Sequence, residues 1–206
     1  MNKEEVYKEF KRLFKDAKCE LVYKNDYELL LSVMLSAQTT DKRVNIVTKE
    51  LYNKYNTLEK LNSLSVYEIE EYIRSLGFYK TKALHFKEIV SKLNTIGYVP
   101  NDREYLESLP GVGRKTASVV LGILFDEPSF AVDTHVFRVS KRFEITNDKD
   151  DVLSTEVKLK EYFDKDKWNY INSAMVLFGR YVCTAKNPKC NDCPFKNKCN
   201  YSEYKN

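Results

Sequence analysis

Four cysteines near the end of the chain have the spacing of a metal site. They form the pattern C-x6-C-x2-C-x5-C within YVCTAKNPKCNDCPFKNKCNY, whereas the fifth cysteine, Cys19, stands far away. Thiolates that share a metal centre must converge within a few ångströms, and the intervening prolines and Asn/Asp turn formers allow this. The spacing fits structural zinc and an iron–sulfur cluster equally well. The predicted ligands are Cys183, Cys190, Cys193 and Cys199.

A lysine follows a Gly-x-Gly turn in the segment LPGVGRKTA, between two predicted helices. This segment is not a nucleotide-binding P-loop, because that motif places its lysine directly after a glycine and follows a strand. Gly111 and Gly113 instead fit a helix-hairpin-helix, a turn that another chain can approach closely. The backbone amides that begin the second helix suit a phosphate oxygen. The alternative is a plain connector between two helices.

Lys115, in the first turn of that second helix, is a candidate nucleophile. The helix dipole and the adjacent Arg114 both disfavour its ammonium form. A neutral amine is the form that attacks an electrophilic carbon. The alternative is a surface lysine that contacts phosphate, and this segment alone leaves both interpretations open.

Asp133, in AVDTHVFRVSKRF, is the second residue with a possible chemical role. It is predicted to N-cap the next helix, where a carboxylate is stabilised as the anion. Such a group accepts protons poorly but stabilises a developing cation, such as an oxocarbenium-like sugar with an amine nearby to capture it. Helix capping alone would also explain an aspartate at this position. His135 follows closely and has no assigned role.

The loops between the cysteines are the most basic part of the chain. They contain Lys186, Lys189, Lys196 and Lys198 against one acid, Asp192. A single loop lysine is normally a solvated charge, but four together would attract phosphate. The formal net charge of the whole chain, +4, permits a nucleic-acid partner without requiring one.

Helical periodicity dominates the elements that must position these residues, and the alternation typical of strands is almost absent. About ten short helices with short connections therefore predict an all-α protein. Asp26 and Asp41 are expected to N-cap helices, and Gly77 and Gly97 to C-cap them. No apolar run approaches about 20 residues, and the first residues do not resemble a signal peptide. We therefore expect a soluble, intracellular protein without a membrane partner.

Taken together, these segments resemble the endonuclease III family of DNA repair glycosylases. The resemblance rests on LLLSVMLSAQTTDKRVN, LPGVGRKTA, AVDTHVFRVSKR and the FGRYVC that opens the cysteine pattern, in that order over residues 27–199. It implies two helical lobes with the active site in the cleft between them. One lobe would be a six-helix bundle with the helix-hairpin-helix, residues 18–127. The other, residues 1–17 and 128–206, would bear the metal, which the resemblance implies is a [4Fe-4S] cluster held by the four cysteines.

The resemblance also implies roles for individual residues. Lys115 matches the catalytic nucleophile and Asp133 the acid beside it. Gln38, in SAQTTD, and Phe78, in LGFYKTKA, match positions that wedge into the base stack, although the family commonly has leucine at the second position. The full set of expected DNA-binding residues is Gln38, Phe78, Gly111, Gly113, Arg114, Lys186 and Lys189.

The implied function is that of a bifunctional DNA glycosylase and AP lyase in base excision repair. Such an enzyme flips the damaged nucleotide out of the duplex, attacks the sugar C1′ with Lys115 and passes through a Schiff base. It then cleaves the strand 3′ to the abasic site by β-elimination. The expected substrates are oxidised pyrimidines and abasic sites in damaged double-stranded DNA. The protein is expected to act as a monomer in the cytoplasm, associated with the nucleoid.

Two other functions fit parts of the same pattern. An adenine-mismatch glycosylase has the same cluster but typically a glutamate where Ser32 stands, and no lysine at the hairpin. Ser32 and Lys115 therefore both disfavour that function. A non-catalytic DNA-damage-binding module would use the hairpin and the cluster only as a scaffold, and the presence of both Lys115 and Asp133 argues against it.

Overall fold

The computed structural model describes residues 1–199 and 201, and every regular element within them is helical. The all-α prediction is therefore confirmed. Two short 3-10 turns, Lys165–Lys167 and Lys196–Lys198, accompany the α-helices. No helix in this part of the chain is long and apolar enough to cross a membrane. The α-helices are α1 (Lys3–Leu13), α2 (Asp26–Leu35), α3 (Asp41–Lys54), α4 (Leu58–Ser63), α5 (Val66–Ile73), α6 (Tyr79–Ile96), α7 (Arg103–Glu107), α8 (Arg114–Leu124), α9 (Thr134–Arg142), α10 (Val152–Tyr162) and α11 (Trp168–Tyr181).

The chain forms two compact units. The hairpin unit is the continuous segment Glu20–Phe125 and contains α2 to α8. The cysteine unit combines Met1–Cys19 with the chain from Asp126 onwards and contains α1 and α9 to α11. The boundaries predicted from the sequence, residues 18 and 127, lie within two residues of these.

The hairpin unit has seven α-helices, one more than the six-helix bundle that the resemblance implies, and helical periodicity did not predict α4. Thr57 begins this six-residue helix by accepting a hydrogen bond from the amide of Lys60 on its side chain. A separate capping box of Ser65 and Glu68 starts α5 directly afterwards. The Thr57 cap was the signal for α4 in the sequence, but two turns of helix show too little periodicity to stand out.

Two helices of the hairpin unit have N-caps that differ from the predicted residues. The N-caps of α2 and α3 are Asn25 and Thr40, each one residue before the predicted aspartate. Asp26 and Asp41 are instead the first helical residues, where an acidic side chain is favoured by the helix dipole. Asp26 also accepts a 2.8 Å hydrogen bond from the amide of Val99.

Only one of the two predicted glycine C-caps is present. Gly97 ends α6 with φ of 84° and donates its amide to the carbonyl of Leu93, as predicted. The prediction for Gly77 was wrong, because α5 already ends at Ile73 with Arg74 as its C-cap.

Helix α2 is the centre of the hairpin unit and is buried on nearly all sides, as its composition predicted. It packs against α3, α6 and α8. Ser32 on α2 is fully buried and lies 3.0 Å from the hydroxyl of Tyr52 on α3, within hydrogen-bonding distance. Because neither side chain reaches solvent, this position serves the core of the bundle.

The core of the cysteine unit is a cluster of four phenylalanines. Phe10 of α1 and Phe178 of α11 meet Phe143, which follows α9. Phe195, from the loop between the last two cysteines, joins them with ring centroids 4.9 Å from Phe143 and 5.6 Å from Phe178. Burial of an aromatic ring of this size stabilises by roughly 2–3 kcal/mol. The cysteine-rich loop is therefore anchored in the core through Phe195.

Candidate functional site

The predicted hairpin is present between α7 and α8. Gly111 has a left-handed backbone with φ of 75°, and a Cβ there would lie 2.6 Å from Nδ1 of His85. Gly113 is the N-cap residue of α8, and no side chain caps this helix end. A Cβ on Gly113 would meet nothing within 4 Å. The first amides of α8 thus lack a side-chain acceptor and border open space, which suits an incoming anion.

The two hairpin glycines should respond differently to substitution by alanine. Gly111→Ala is expected to lower the free energy of unfolding by about 1–3 kcal/mol, because the methyl group collides with His85 and the φ is unfavourable. Gly113→Ala should change stability by less than about 0.5 kcal/mol but weaken DNA binding, because the methyl group occupies the approach of a phosphate. Urea unfolding and fluorescence anisotropy with a DNA duplex measure the two effects. If the two variants were equally stable, the close packing of His85 against Gly111 would be contradicted.

Lys115 is the second residue of α8 and is exposed. Among the described residues, no hydrogen bond or ion pair engages its amine. Arg114, also exposed, precedes it at the positive end of the helix dipole. The amine is therefore accessible, and its ammonium form lacks a stabilising carboxylate within this part of the chain.

Gln38 and Phe78 share a backbone conformation that the sequence did not reveal. Both are exposed, and both have positive φ, 54° and 59°, although neither is glycine. Phe78 stands directly before α6 with 68% of its surface exposed. A left-handed backbone at a non-glycine residue costs on the order of 1–3 kcal/mol and persists only where the surroundings enforce it. Such residues concentrate at functional sites, and here each presents a side chain to solvent from a tight turn.

Asp133 N-caps α9, as predicted. Its Oδ1 accepts hydrogen bonds from the amides of His135 and Val136, both at 2.8 Å. The carboxylate is half-buried, so its charge is only partly screened by water. Burial lowers the pKa of the neighbouring His135 from its ordinary value, which favours the neutral form of the ring.

The four predicted cysteines line one small pocket that is partly open to solvent. All four are thiols rather than disulfides, and the aromatic rings of Phe143 and Phe178 line the same pocket. Within residues 1–199 and 201, no group of three His, Cys, Asp or Glu side chains is arranged to hold a single metal ion. Soft thiol donors around an apolar cavity fit zinc or an iron–sulfur cluster by chemistry. The four thiols belong to Cys183, Cys190, Cys193 and Cys199.

Burial disfavours the thiolate forms of these cysteines before a metal binds. It raises the pKa of Cys183, with a smaller opposing effect from Arg142, and raises the pKa of Cys193 to about 11. A bound metal centre must therefore displace the thiol protons and supply compensating positive charge.

Two arginines of α9 that sequence reasoning missed support the first cysteine. Arg142 donates to Sγ of Cys183 at 3.2 Å and to the carbonyl of Thr184 at 2.8 Å. Arg138 donates to the carbonyl of Cys183 at 3.0 Å and to that of Gly179 at 2.7 Å. Their spacing of four residues on one helix was the available signal, but the partners lie more than forty positions away in the sequence.

Fewer lysines in the loops between the cysteines are available to attract phosphate than the composition suggested. Lys186 and Lys189 are exposed, as a phosphate-binding role requires. Lys198, by contrast, pairs with Glu5 of α1 at 2.6 Å, which neutralises its charge. Lys196 approaches the side-chain oxygen of Asn191 at 3.3 Å.

The structure distributes the predicted residues between the two units. The hairpin unit carries the nucleophile candidate with the hairpin and the two exposed turns. The cysteine unit carries Asp133, the four thiols and the two loop lysines. Each unit thus contributes one of the two residues with a predicted chemical role.

Comparison with known proteins identifies the family. Residues 31–165 match the family described as HhH-GPD superfamily base excision DNA repair protein. The chain is 43% identical to the endonuclease III of Bacillus subtilis (strain 168) over 189 residues, covering 91% of this chain and 86% of that protein. It is also 43% identical to the endonuclease III of Rickettsia felis (strain ATCC VR-1525 / URRWXCal2) over 201 residues, with coverage of 95% and 92%.

Solved structures agree with this assignment. A non-covalent endonuclease III–DNA complex matches with a TM-score of 0.92 and 42% identity, over 99% of this chain and 98% of that one. A trapped endonuclease III–DNA covalent intermediate matches with a TM-score of 0.91 at the same identity and coverage. A thermostable thymine-DNA glycosylase, only 23% identical, shares the fold with a TM-score of 0.79. This chain therefore belongs to the endonuclease III family, within the HhH-GPD superfamily of base excision DNA repair proteins.

Proposed function

We propose that this chain is a bifunctional DNA glycosylase and AP lyase that removes oxidised pyrimidines from damaged double-stranded DNA. The observation that carries the proposal is the exposed amine of Lys115 at the uncapped start of α8, in a member of this family. We further propose that the protein acts as a monomer associated with the nucleoid.

DNA binding combines contacts to the phosphates with two side chains that enter the base stack. The amides at the start of α8, where no side chain caps the helix, hold one phosphate of the damaged strand together with Gly111, Gly113 and Arg114. Lys186 and Lys189 attract further phosphates. The exposed side chains of Gln38 and Phe78 enter the base stack and fill the gap that the flipped nucleotide leaves.

The chemical steps assign one role to each of two residues. The neutral amine of Lys115 bonds to the sugar C1′ while the bond to the damaged base breaks, and the base leaves with that electron pair and takes up a proton. Asp133 remains an anion and stabilises the positive charge on the sugar. Opening of the sugar ring converts the adduct to a Schiff base. Loss of a C2′ proton then expels the 3′ phosphate, and water hydrolyses the Schiff base to release Lys115.

We infer that the four thiols hold a [4Fe-4S] cluster. Sulfurs around one zinc ion would lie about 3.8 Å apart, given Zn–S bonds of about 2.3 Å. No three side chains in the described part of the chain are arranged to hold a single ion, and the resemblance to the endonuclease III family favours the larger group. When bound, the cluster would cross-link the loop and hold Lys186 and Lys189 in place.

Metal analysis tests the cofactor. We expect anaerobically purified protein to be coloured and to contain about four iron and four sulfide per chain. Cys193→Ser should lose most of the iron and lower the free energy of unfolding, because one ligand is missing and the loop is released. Cys19→Ser, outside the site, is the matched control and should retain the iron. A colourless protein with one zinc per chain would contradict the cluster.

Borohydride trapping tests the proposed activity. The protein is incubated with a duplex that contains one abasic site, and sodium borohydride is added to reduce any Schiff base. We expect a covalent protein–DNA adduct and, without borohydride, strand cleavage 3′ to the site. Binding without an adduct or cleavage would instead indicate a non-catalytic damage-binding module. Excision of mispaired adenine without an adduct would indicate an adenine-mismatch glycosylase.

A further inference from the structure

A buried lysine of α6 connects two parts of the hairpin unit. Lys82 is only 5% exposed. Its ammonium group donates to the carbonyls of Leu35 and Ala37, at 2.9 and 2.8 Å, and to the hydroxyl of Thr39 at 3.3 Å. An ammonium group has three donors, so all of them are used.

These three acceptors surround one residue of the proposed DNA interface. Leu35 is the last residue of α2, and Ala37 and Thr39 flank Gln38 on either side. Gln38 has the unfavourable positive φ that needs support from its surroundings. The contacts of Lys82 supply this support from outside the turn.

Lys82 is equally close to the second exposed turn. It lies one helical turn beyond Phe78, and its amide donates to the carbonyl of Phe78 at 3.0 Å. Phe78 also has positive φ and directly precedes α6. A single residue thus binds the Gln38 turn through its side chain and the Phe78 turn through its backbone.

A charged side chain is unfavourable at a position as buried as that of Lys82. Burial disfavours the charged form and so lowers the pKa of Lys82 from its ordinary value. A methionine would fill the same space in a helix without this cost. The negative end of the α2 dipole compensates part of it.

We propose that Lys82 is a positioning residue that holds Gln38 and Phe78 at a set separation, so that both side chains enter the same gap in the base stack. The inference rests on the proposed function. Two wedges that are already positioned lose less conformational entropy when they bind than two independent turns would. Without the hydrogen bonds from Lys82, the Gln38 turn can relax away from its left-handed conformation.

The test compares Lys82→Met with Lys87→Met. Lys87 lies on the same helix and is also partly buried, and its amine donates to the carbonyl and side-chain oxygen of Asn62, which belongs to α4 and to neither turn. One duplex carries a tetrahydrofuran abasic analogue, which resists cleavage, beside 2-aminopurine, whose fluorescence reports unstacking. Affinity is measured for this duplex and for an undamaged one. Cleavage of an abasic site in single-stranded DNA, which needs no wedge, reports the chemistry.

We expect Lys82→Met to weaken binding to the abasic-analogue duplex by about tenfold, the effect of losing roughly one well-placed interaction. The 2-aminopurine signal should fall, while affinity for undamaged DNA and cleavage of single-stranded DNA stay at wild-type levels. Lys87→Met should match the wild type throughout. Wild-type lesion binding by Lys82→Met, or equal loss of single-stranded cleavage, would overturn the inference.

Thr39→Val provides a second variant in case Lys82→Met does not fold. It removes one acceptor of the Lys82 amine and leaves the lysine in place. Weaker lesion binding by this variant supports the inference, and wild-type binding overturns it. If the wild type neither cleaves abasic DNA nor unstacks the reporter base, the proposed function fails, and this result is distinct from either outcome for the variants.

Discussion

Lys115→Ala is expected to abolish the borohydride-trapped adduct and to slow cleavage of abasic duplex DNA by about 1,000-fold or more. The substitution removes the amine that forms the Schiff base, and water attacks the sugar far more slowly than a positioned nucleophile. Stability should change by less than about 0.5 kcal/mol, because Lys115 is exposed and has no partner among the described residues. Gel detection of the adduct and single-turnover cleavage measure the effect.

Lys42→Ala is the matched control for this variant. Lys42 is also the second residue of a helix and is also exposed. The start of its helix, however, is capped by the side chain of Thr40, whereas that of α8 has no side-chain cap. We expect the Lys42 variant to form the adduct at the wild-type rate. An adduct that survives Lys115→Ala would assign the nucleophile to another amine and refute the mechanism.

Asp133→Asn is expected to slow base excision by about 100- to 1,000-fold with little loss of stability. An asparagine oxygen can still accept the hydrogen bonds from His135 and Val136, and Asn caps helices as well as Asp does. What disappears is the negative charge, which the proposal uses to stabilise the cationic sugar. The free energy of unfolding should fall by less than about 1 kcal/mol, the contribution of a charge at a helix N-terminus. Single-turnover excision of an oxidised pyrimidine measures the chemical role of Asp133, and urea unfolding measures its role as a helix cap.

Asp151→Asn is the control for capping. Asp151 N-caps α10 by accepting from the amide of Ser154 at 2.8 Å, and it is exposed. Its substitution should leave excision unchanged, because no chemical role is proposed there. If Asp133→Asn excised the base at the wild-type rate, Asp133 would be only a helix cap.

Features that depend on neighbours along the chain could be predicted from the residues. Helical periodicity predicted the helical class, and short-range side-chain chemistry placed the caps at Asp133 and Gly97 correctly. The Gly-x-Gly turn before Lys115 and the cysteine spacing are also local patterns. A short segment is enough to set such features, because their interactions join residues a few positions apart.

The contacts around these local features could not be predicted, because they depend on how the helices pack. The partners of Lys82 lie more than forty positions away, as do those of Arg142 at the cysteine cavity. The ring of His85 against Gly111 and that of Phe195 in the aromatic core are likewise long-range contacts. The left-handed turns at Gln38 and Phe78 go against local preference and exist because packed neighbours hold them. Local preferences select helices and turns, but only packing selects which side chains meet, since that depends on segments brought together from distant parts of the chain.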